Sequence, residues 1–435
     1  MECRLTKLPT ELQLLIIEKL QEPGEDSRQL VINLSNTCSS FRSLLAPKLF
    51  HSITLHNTEG SAALALAAAN NHIAQHVKRL DFKATLFGTR ISPYSYFATR
   101  VLIPKAVRSI LGNLNLFPKL DTLSIQFDAQ SFPGILWDIL GDEEPIEDAL
   151  KLEKEQPWRR LMAETYKLLC GNKSHSIKTL LLQDLIPLGV STFTNSDFHK
   201  FLSTLEHFRI TLLGGMAGHD GNFSSIHNSG YKSFVSRLPV FFLDHLDSVK
   251  TLSIAGTRNG MLGLNPSTCS AELPLANLRI PNLESFSLEW TFIYDELIQF
   301  LTAHAKTLKL ISLHNCYGHS QDSIRCVRWH EVFDKLADVG PISLKRVDIT
   351  IPTAKQIVYY SQSYEAKIQE VQQLQQKEPE RLIFAYGFLS YGILVDATSD
   401  NTEAFINGDD EKAYARLAAI VKANRISSPT SKKRI

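Results

Sequence analysis

The stretch Leu308–Cys316 reads LKLISLHNC and sets apolar residues at Leu308, Ile311 and Leu313. Ile311 and Leu313 alternate with Ser312 and His314, the pattern of a strand buried on one side only. The same phrase, apolar-x-x-apolar-x-apolar, recurs along the chain as Phe50-Ile53-Leu55, Val77-Leu80-Phe82, Leu120-Leu123-Ile125, Ile177-Leu180-Leu182 and Leu205-Phe208-Ile210. It continues as Val249-Leu252-Ile254, Leu283-Phe286-Leu288, the quoted copy, and Leu344-Val347-Ile349. Helical candidates lie between the copies, over about 94–115, 157–170, 196–205, 232–246, 293–306 and 328–338. Strand alternating with helix predicts an α/β fold with parallel strands.

Successive central residues are 27, 43, 57, 28, 44, 34, 25 and 36 positions apart, spacings of a repeat unit with insertions. In the quoted copy the pattern extends to Cys316, giving Leu-x-x-Ile-x-Leu-x-x-Cys, with Thr58, Thr85, Thr257 and Thr291 at the equivalent offset elsewhere. A hydroxyl or thiol there can satisfy backbone groups in the turn after the strand. Residues 51–351 thus resemble an irregular leucine-rich-repeat domain. The resemblance implies a solenoid: a curved parallel sheet with helices on the convex side and a concave face built from the residues that alternate with the buried leucines. From that face Asp81, Gln126, Arg209, Glu289, His314, Arg346 and Asp348 are the candidate contacts to a target protein whose identity the sequence does not give.

The N-terminal stretch LTKLPTELQLLIIEKL, residues 5–20, behaves differently. Pro9 and Glu11 suit a first helical turn, so a helix is expected from Pro9 to Leu20. With Leu12 at zero and roughly 100° per residue, Ile16, Leu20, Ile17, Leu14 and Leu15 are distributed nearly all round. Such a helix must be covered on two sides. Residues 30–50 supply Leu30, Leu34, Phe41, Leu44, Leu45 and Leu49 for one of them. Leu8-Pro9-Thr10-Glu11-Leu12, with Ile16, Ile17, Leu20, Leu34, Cys38, Phe41, Leu45, Pro47, Leu49 and Phe50, resembles the F-box of fungal proteins, here within residues 1–50. That family implies a trihelical module docked on the Skp adaptor of a cullin–RING ubiquitin ligase. The matching adaptor contacts are Leu8, Pro9, Leu12, Leu15, Ile16, Ile17, Leu20, Leu34 and Phe41. A departure from the family pattern is Glu22-Pro23-Gly24-Glu25-Asp26-Ser27, longer than the usual link after the first helix.

Residues 352–424 are expected to cap the array: a polar helix over 352–380 with Ile357, Tyr360, Tyr364, Ile368, Val371 and Leu374 on one face, a buried strand-like stretch over 382–395, and a helix over about 411–424. Residues 425–435, with Lys432, Lys433 and Arg434, are expected to be a disordered tail.

The chain of 435 residues balances 46 Lys and Arg against 45 Asp and Glu, so no bulk charge draws it to nucleic acid or an anionic membrane. Six dispersed cysteines without a CxxC pair read as reduced thiols, and no apolar run reaches the ~18 residues of a membrane span. A cytoplasmic or nuclear location follows as the expectation. His314, Cys316, His319, Cys326 and His330 crowd together but match no zinc spacing, and no metal or other cofactor is expected. The glycine-rich loop after Leu212 lacks the Lys-Ser/Thr pair of a phosphate cradle and reads as an insertion on one rim. No catalytic motif stands out. The expectation is a non-catalytic substrate-recognition subunit of a Skp–cullin–F-box ligase; the alternative is a leucine-rich-repeat scaffold that degrades nothing.

Overall fold

The computed structural model describes residues 8–20, 27–85, 103–128, 148–172, 176–214, 216–217, 223–224, 229–258, 260–263, 271–319, 327–350, 365–390 and 393–427. All nine copies of the repeated phrase form strands: β1 (Ser52–His56), β2 (Arg79–Thr85), β3 (Thr122–Asp128), β4 (Thr179–Leu185), β5 (His207–Leu212), β6 (Thr251–Ala255), β7 (Ser285–Glu289), β8 (Leu310–His314) and β9 (Arg346–Ile349). They make one parallel sheet in which each strand pairs with the copies before and after it in the chain. Strand order equals chain order, and the sheet does not close into a barrel.

The register follows the apolar positions. Ile53, Leu80, Leu123, Leu180, Phe208, Leu252, Phe286, Ile311 and Val347 stand side by side in one row. Leu55, Phe82, Ile125, Leu182, Ile210, Ile254, Leu288, Leu313 and Ile349 form the next row on the same face. A slip by one residue would turn both rows to the opposite face, so burial fixes the register. The helices between the strands cover that face and share its core. Behind the middle strands the core is aromatic: Phe193 lies 4.9 Å from Tyr166, 4.8 Å from Phe242 and 5.7 Å from Phe241, ring centre to ring centre.

A second device holds the register at the strand entrances. The residues just before β2 to β9 are Lys78, Asp121, Lys178, Glu206, Lys250, Glu284, Lys309 and Lys345, and each backbone carbonyl from Lys78 to Lys309 accepts from the following unit, as in Lys250 N–H to Glu206 O at 2.7 Å. Signs alternate along this row as far as Lys309. Glu206 bridges Lys178 (2.8 Å) and Lys250 (2.7 Å), and Glu284 pairs with Lys309 at 2.7 Å. Hydrogen bonds from the two lysines hold the Glu206 carboxyl down to about 2.

Two expected helices differ from their observed form. The candidate over 94–115 is the shorter helix Lys105–Leu111, ended at Gly112 and followed by a 3-10 turn over Leu114–Leu116; residues 94–102 lie outside the described ones. The candidate over 232–246 is broken into Ser229–Ser236, Leu238–Phe241 and a 3-10 turn. Pro239 explains the break, because its ring excludes the preceding turn and it has no N–H to continue the ladder. Thr58 caps an alanine-rich helix, Glu59–Ala69, by accepting from Ser61 N–H at 3.3 Å, a helix absent from the sequence reading.

At the N-terminus lie three helices, α1 (Thr10–Leu20), α2 (Ser27–Ser35) and α3 (Ser39–Leu49), with a small core of Ile17, Val31, Phe41 and Leu45 separate from that of the sheet. At the other end the long helix Asp409–Ser427 lies against the helix Trp329–Val339 and the approach to β9. Asn424 donates to Pro341 O (2.7 Å) and Leu344 O (3.0 Å), Arg425 donates to Lys345 O, and Arg416 pairs with Asp334 and Asp338. This helix includes residues 425–427, which the sequence reading assigned to a disordered tail; three more residues continue the backbone hydrogen bonding. Residues 428–435 lie outside the described ones.

The helix expected over 352–380 is observed as Glu365–Lys377, with Val371 buried and Leu374 half-buried; Ile357, Tyr360 and Tyr364 fall outside the described residues. The stretch after it supplies a hairpin, β10 (Tyr386–Ser390) and β11 (Ile393–Asp396), joined to Gly318–His319. Among the described residues no helix is long and apolar enough to cross a membrane.

Candidate functional site

Two surfaces carry the sequence-predicted contacts. The first is α1. Its inward face is Gln13 and Ile17, 6% and 1% exposed, while Leu12, Leu14 and Leu15 remain 47%, 44% and 56% exposed, and Leu30 of α2 45%. Gln13 Nε2 donates to Leu8 O at 2.8 Å, which satisfies one of its polar atoms inside the module. A glutamine inward and three leucines outward on one short helix inverts the usual partition between core and water. Covering those four leucines would stabilise the module by on the order of 3–6 kcal/mol, taking half of a full side-chain burial for each.

Not every predicted adaptor contact lies on this surface. Leu12 and Leu15 are exposed, as is Pro9, while Leu8, Ile16 and Leu34 are half-buried. Leu20 ends α1, and its side chain lies outside the described ones. Ile17 and Phe41 are corrected by their burial: at 1% and 0% exposure they form the interior of the three-helix module and are not available to a partner. Helical spacing alone does not separate inner from outer residues on a helix apolar nearly all round. The neighbours Val31, Phe41 and Leu45 decide it.

The second surface is the sheet face opposite the helices. One row across it runs Thr54, Asp81, Ser124, Leu181, Arg209, Ser253, Ser287, Ser312 and Asp348 on neighbouring strands β1 to β9. Asp81 accepts from Arg79 (2.8 Å) and from Ser52 Oγ (2.9 Å), and Asp348 accepts from Arg346 at 2.8 Å. His314 bonds Ser312 through Nε2 and Thr350 through Nδ1, each at 2.7 Å. Glu289 sits one step along the strands, where Asn315 reaches it at 3.5 Å. Arg209 is exposed and has neither hydrogen bond nor ion pair from its side chain among the described residues.

Gln126 belongs to a cleft of about 340 Å³ at the C-terminal ends of β1–β5, lined also by His56, Lys83, Asp128, Asp184 and Leu213. Gln126 Nε2 donates to Asp184 Oδ2 at 2.7 Å, and Asp184 adopts the left-handed backbone (φ 47°) that aspartate tolerates better than most residues. Trp290 (φ 54°) and Asn315 (φ 49°) repeat this turn after β7 and β8.

The crowded histidines and cysteines have separate partners. The Cys316 thiol donates to Leu288 O (3.7 Å) and His314 O (3.5 Å), and burial pushes it up to about 12. His330 faces Asp410 at 3.2 Å, and Asp410 also accepts from Tyr386 Oη at 2.8 Å; Cys326 lies outside the described residues. Of the other expected turn residues, Thr291 donates to Glu289 O at 3.2 Å. In the glycine-rich insertion, Met216–Ala217 pairs antiparallel with Phe223–Ser224.

The sequence reading missed the alternating charges at the strand entrances. Their signal is present: the residue after the first apolar position is charged in every copy from Val77 onward. No protein-family model and no curated protein matches the chain.

Proposed function

We propose that the chain is the substrate-recognition adaptor of a Skp–cullin–F-box ubiquitin ligase, with α1–α3 as the F-box and the nine strands with their helices as an irregular leucine-rich-repeat solenoid. The observation that carries the reading is the inversion on α1, where Leu12, Leu14 and Leu15 face outward while Gln13 is buried. Among the described residues the three short helices enclose a hydrophobic core of four buried side chains, too little to cover their own leucines. A Skp-type adaptor is the occupant suggested by the F-box resemblance of residues 1–50. The cullin complex and the ubiquitin-charged enzyme come with it, and the sheet's open polar face holds the target protein.

The chain then performs no chemistry of its own. Holding a target beside the charged enzyme raises the effective concentration of its lysines, so transfer accelerates through proximity. The double variant Leu12→Asp, Leu15→Asp places two charges on the exposed leucines without touching Ile17 or Phe41. Co-purification with a Skp-type adaptor is expected to be lost while the far-ultraviolet spectrum and the melting temperature of the array stay unchanged. Retained adaptor binding in that variant overturns the assignment.

A further inference from the structure

On the open sheet face charge is distributed unevenly. Near its two sides the carboxylates of Asp81 and Asp348 are each engaged by an arginine two residues away on the same strand. At the centre, Arg209 on β5 has no such partner among the described residues. Its row neighbours are Leu181 on one side and Ser253 and Ser287 on the other. With neighbouring strands about 4.8 Å apart, Asp81 lies three strands away, roughly 14 Å, and Asp348 four strands away, roughly 19 Å. Both distances exceed the ~8 Å screening length at physiological ionic strength, so neither carboxylate neutralises Arg209. Glu289, two strands and one step along, is about 12 Å away. His207 is exposed two residues before it on the same face of β5, and the carboxylate of Glu206, one residue earlier, is already engaged by Lys178 and Lys250.

We propose that Arg209 anchors a carboxylate of an acidic, extended segment of the target, laid across the row Leu181–Arg209–Ser253–Ser287. This rests on the reading of the open face as the target-binding surface. Charge complementarity selects the occupant. A guanidinium offers a planar fork of donors that fits a carboxylate in two parallel hydrogen bonds. The hydroxyls of Ser253 and Ser287 supply further donors on the following strands, and Leu181 offers an apolar floor to the residue alongside. A basic segment would meet the Arg209 guanidinium with like charge. The intrastrand pairs Arg79–Asp81 and Arg346–Asp348 set the outer limits of the basic stretch.

The test uses the full chain and a fluorescein-labelled peptide of alternating aspartate and serine, with a lysine–serine peptide of equal length and a phosphoserine–glycine peptide as controls, read by anisotropy. The expected results are binding of the aspartate peptide that weakens as salt rises, no binding of the lysine peptide, and an affinity lower by about tenfold or more in Arg209→Glu. Arg209→Lys should retain part of the affinity, because it keeps the charge but not the fork. Lys83→Glu, at the rim cleft, should change it by less than Arg209→Glu. Equal binding in Arg209→Glu, or no binding of the aspartate peptide, overturns the proposal. Arg209-dependent binding of the phosphoserine peptide alone also overturns it and assigns the anchor to phosphate. Adaptor co-purification, measured on the same Arg209→Glu protein, should be unchanged. Absence of adaptor binding in the wild-type chain would remove the ligase reading and leave the anchor to be judged by the peptides.

Discussion

The N-terminal helices and the nine-stranded array are both rich in apolar residues, yet they dispose of them in opposite ways. In the array, leucines of the phrase such as Leu80, Leu123 and Leu252 are fully buried, each flanked by an equivalent residue on the strands to either side. In α1 the leucines are about half exposed, and burial falls to Ile17 and a glutamine. The difference is one of partners rather than of composition. A strand in a repeat meets another copy of itself on each side, so every apolar side chain finds a matching surface. Three short helices have no such succession, and their outer faces stay uncovered.

This contrast predicts where stability resides. Phe286, fully buried with its ring 4.7 Å from that of Phe300, lies within the continuous core. Phe286→Ala should cost about 3–5 kcal/mol, seen as a lowered urea midpoint. If the array instead behaves as independent units, only amides near β7 will lose protection from hydrogen exchange.

Phe41→Ala sharpens the comparison. A loss of similar size, about 3–5 kcal/mol, exceeds what so small a core supplies, so α1–α3 should unfold alone. Hydrogen exchange should then show loss of protection in α1–α3 with the strand amides β2–β8 unaffected. Loss of protection throughout would mean that the two cores fold as one.

Smaller effects test the entrance row. Glu206→Lys sets three cations, at 178, 206 and 250, on adjacent strands and should lower the melting temperature modestly, with the deficit shrinking at high salt. A loss indifferent to salt would mean that the row contributes through packing rather than charge.

The smallest effect is a pH dependence on the helix side. The rings of His199 and His245 stack with centres 3.5 Å apart, and the Nε2 atoms meet the carbonyls of Phe193 (2.8 Å) and Val240 (3.0 Å). Burial, and secondarily the His245 charge, hold the His199 imidazole below its ordinary value, against the opposing pull of its carbonyl partner. The unfolded chain therefore binds the proton more readily. Stability from this site is full above about pH 6.5 and declines as pH falls below it. His199→Gln should flatten that decline in thermal melts recorded between pH 7.5 and 5.5; an unchanged slope would assign the dependence elsewhere.

Much of the array was legible because a one-sided strand imposes a period of two, and repetition turned a weak local pattern into a strong one. The break at Pro239 was not read, although proline's constraint is local, because the apolar run around it gave a continuous helix over 232–246. The inward side of α1 was not legible, because Ile17 is indistinguishable from Ile16 until α2 and α3 are in place. The alternating row at the strand entrances illustrates a different limit. Lys178, Glu206 and Lys250 look like ordinary surface residues when 28 or 44 positions separate them, and their signs acquire meaning only when the strands are known to be adjacent. The lack of a partner for Arg209 among the described residues has the same origin: its row neighbours come from β4 and β6, not from its own segment.

Strand order that copies chain order carries a further consequence for how the molecule could have grown. Each unit answers only to its predecessor and its successor, so duplication of one unit in mid-array would lengthen the ribbon without asking distant parts to change. The terminal helices sit outside that arithmetic: whatever the number of rungs, the helix Asp409–Ser427 would still close one end and the exposed leucines of α1 would still mark the other.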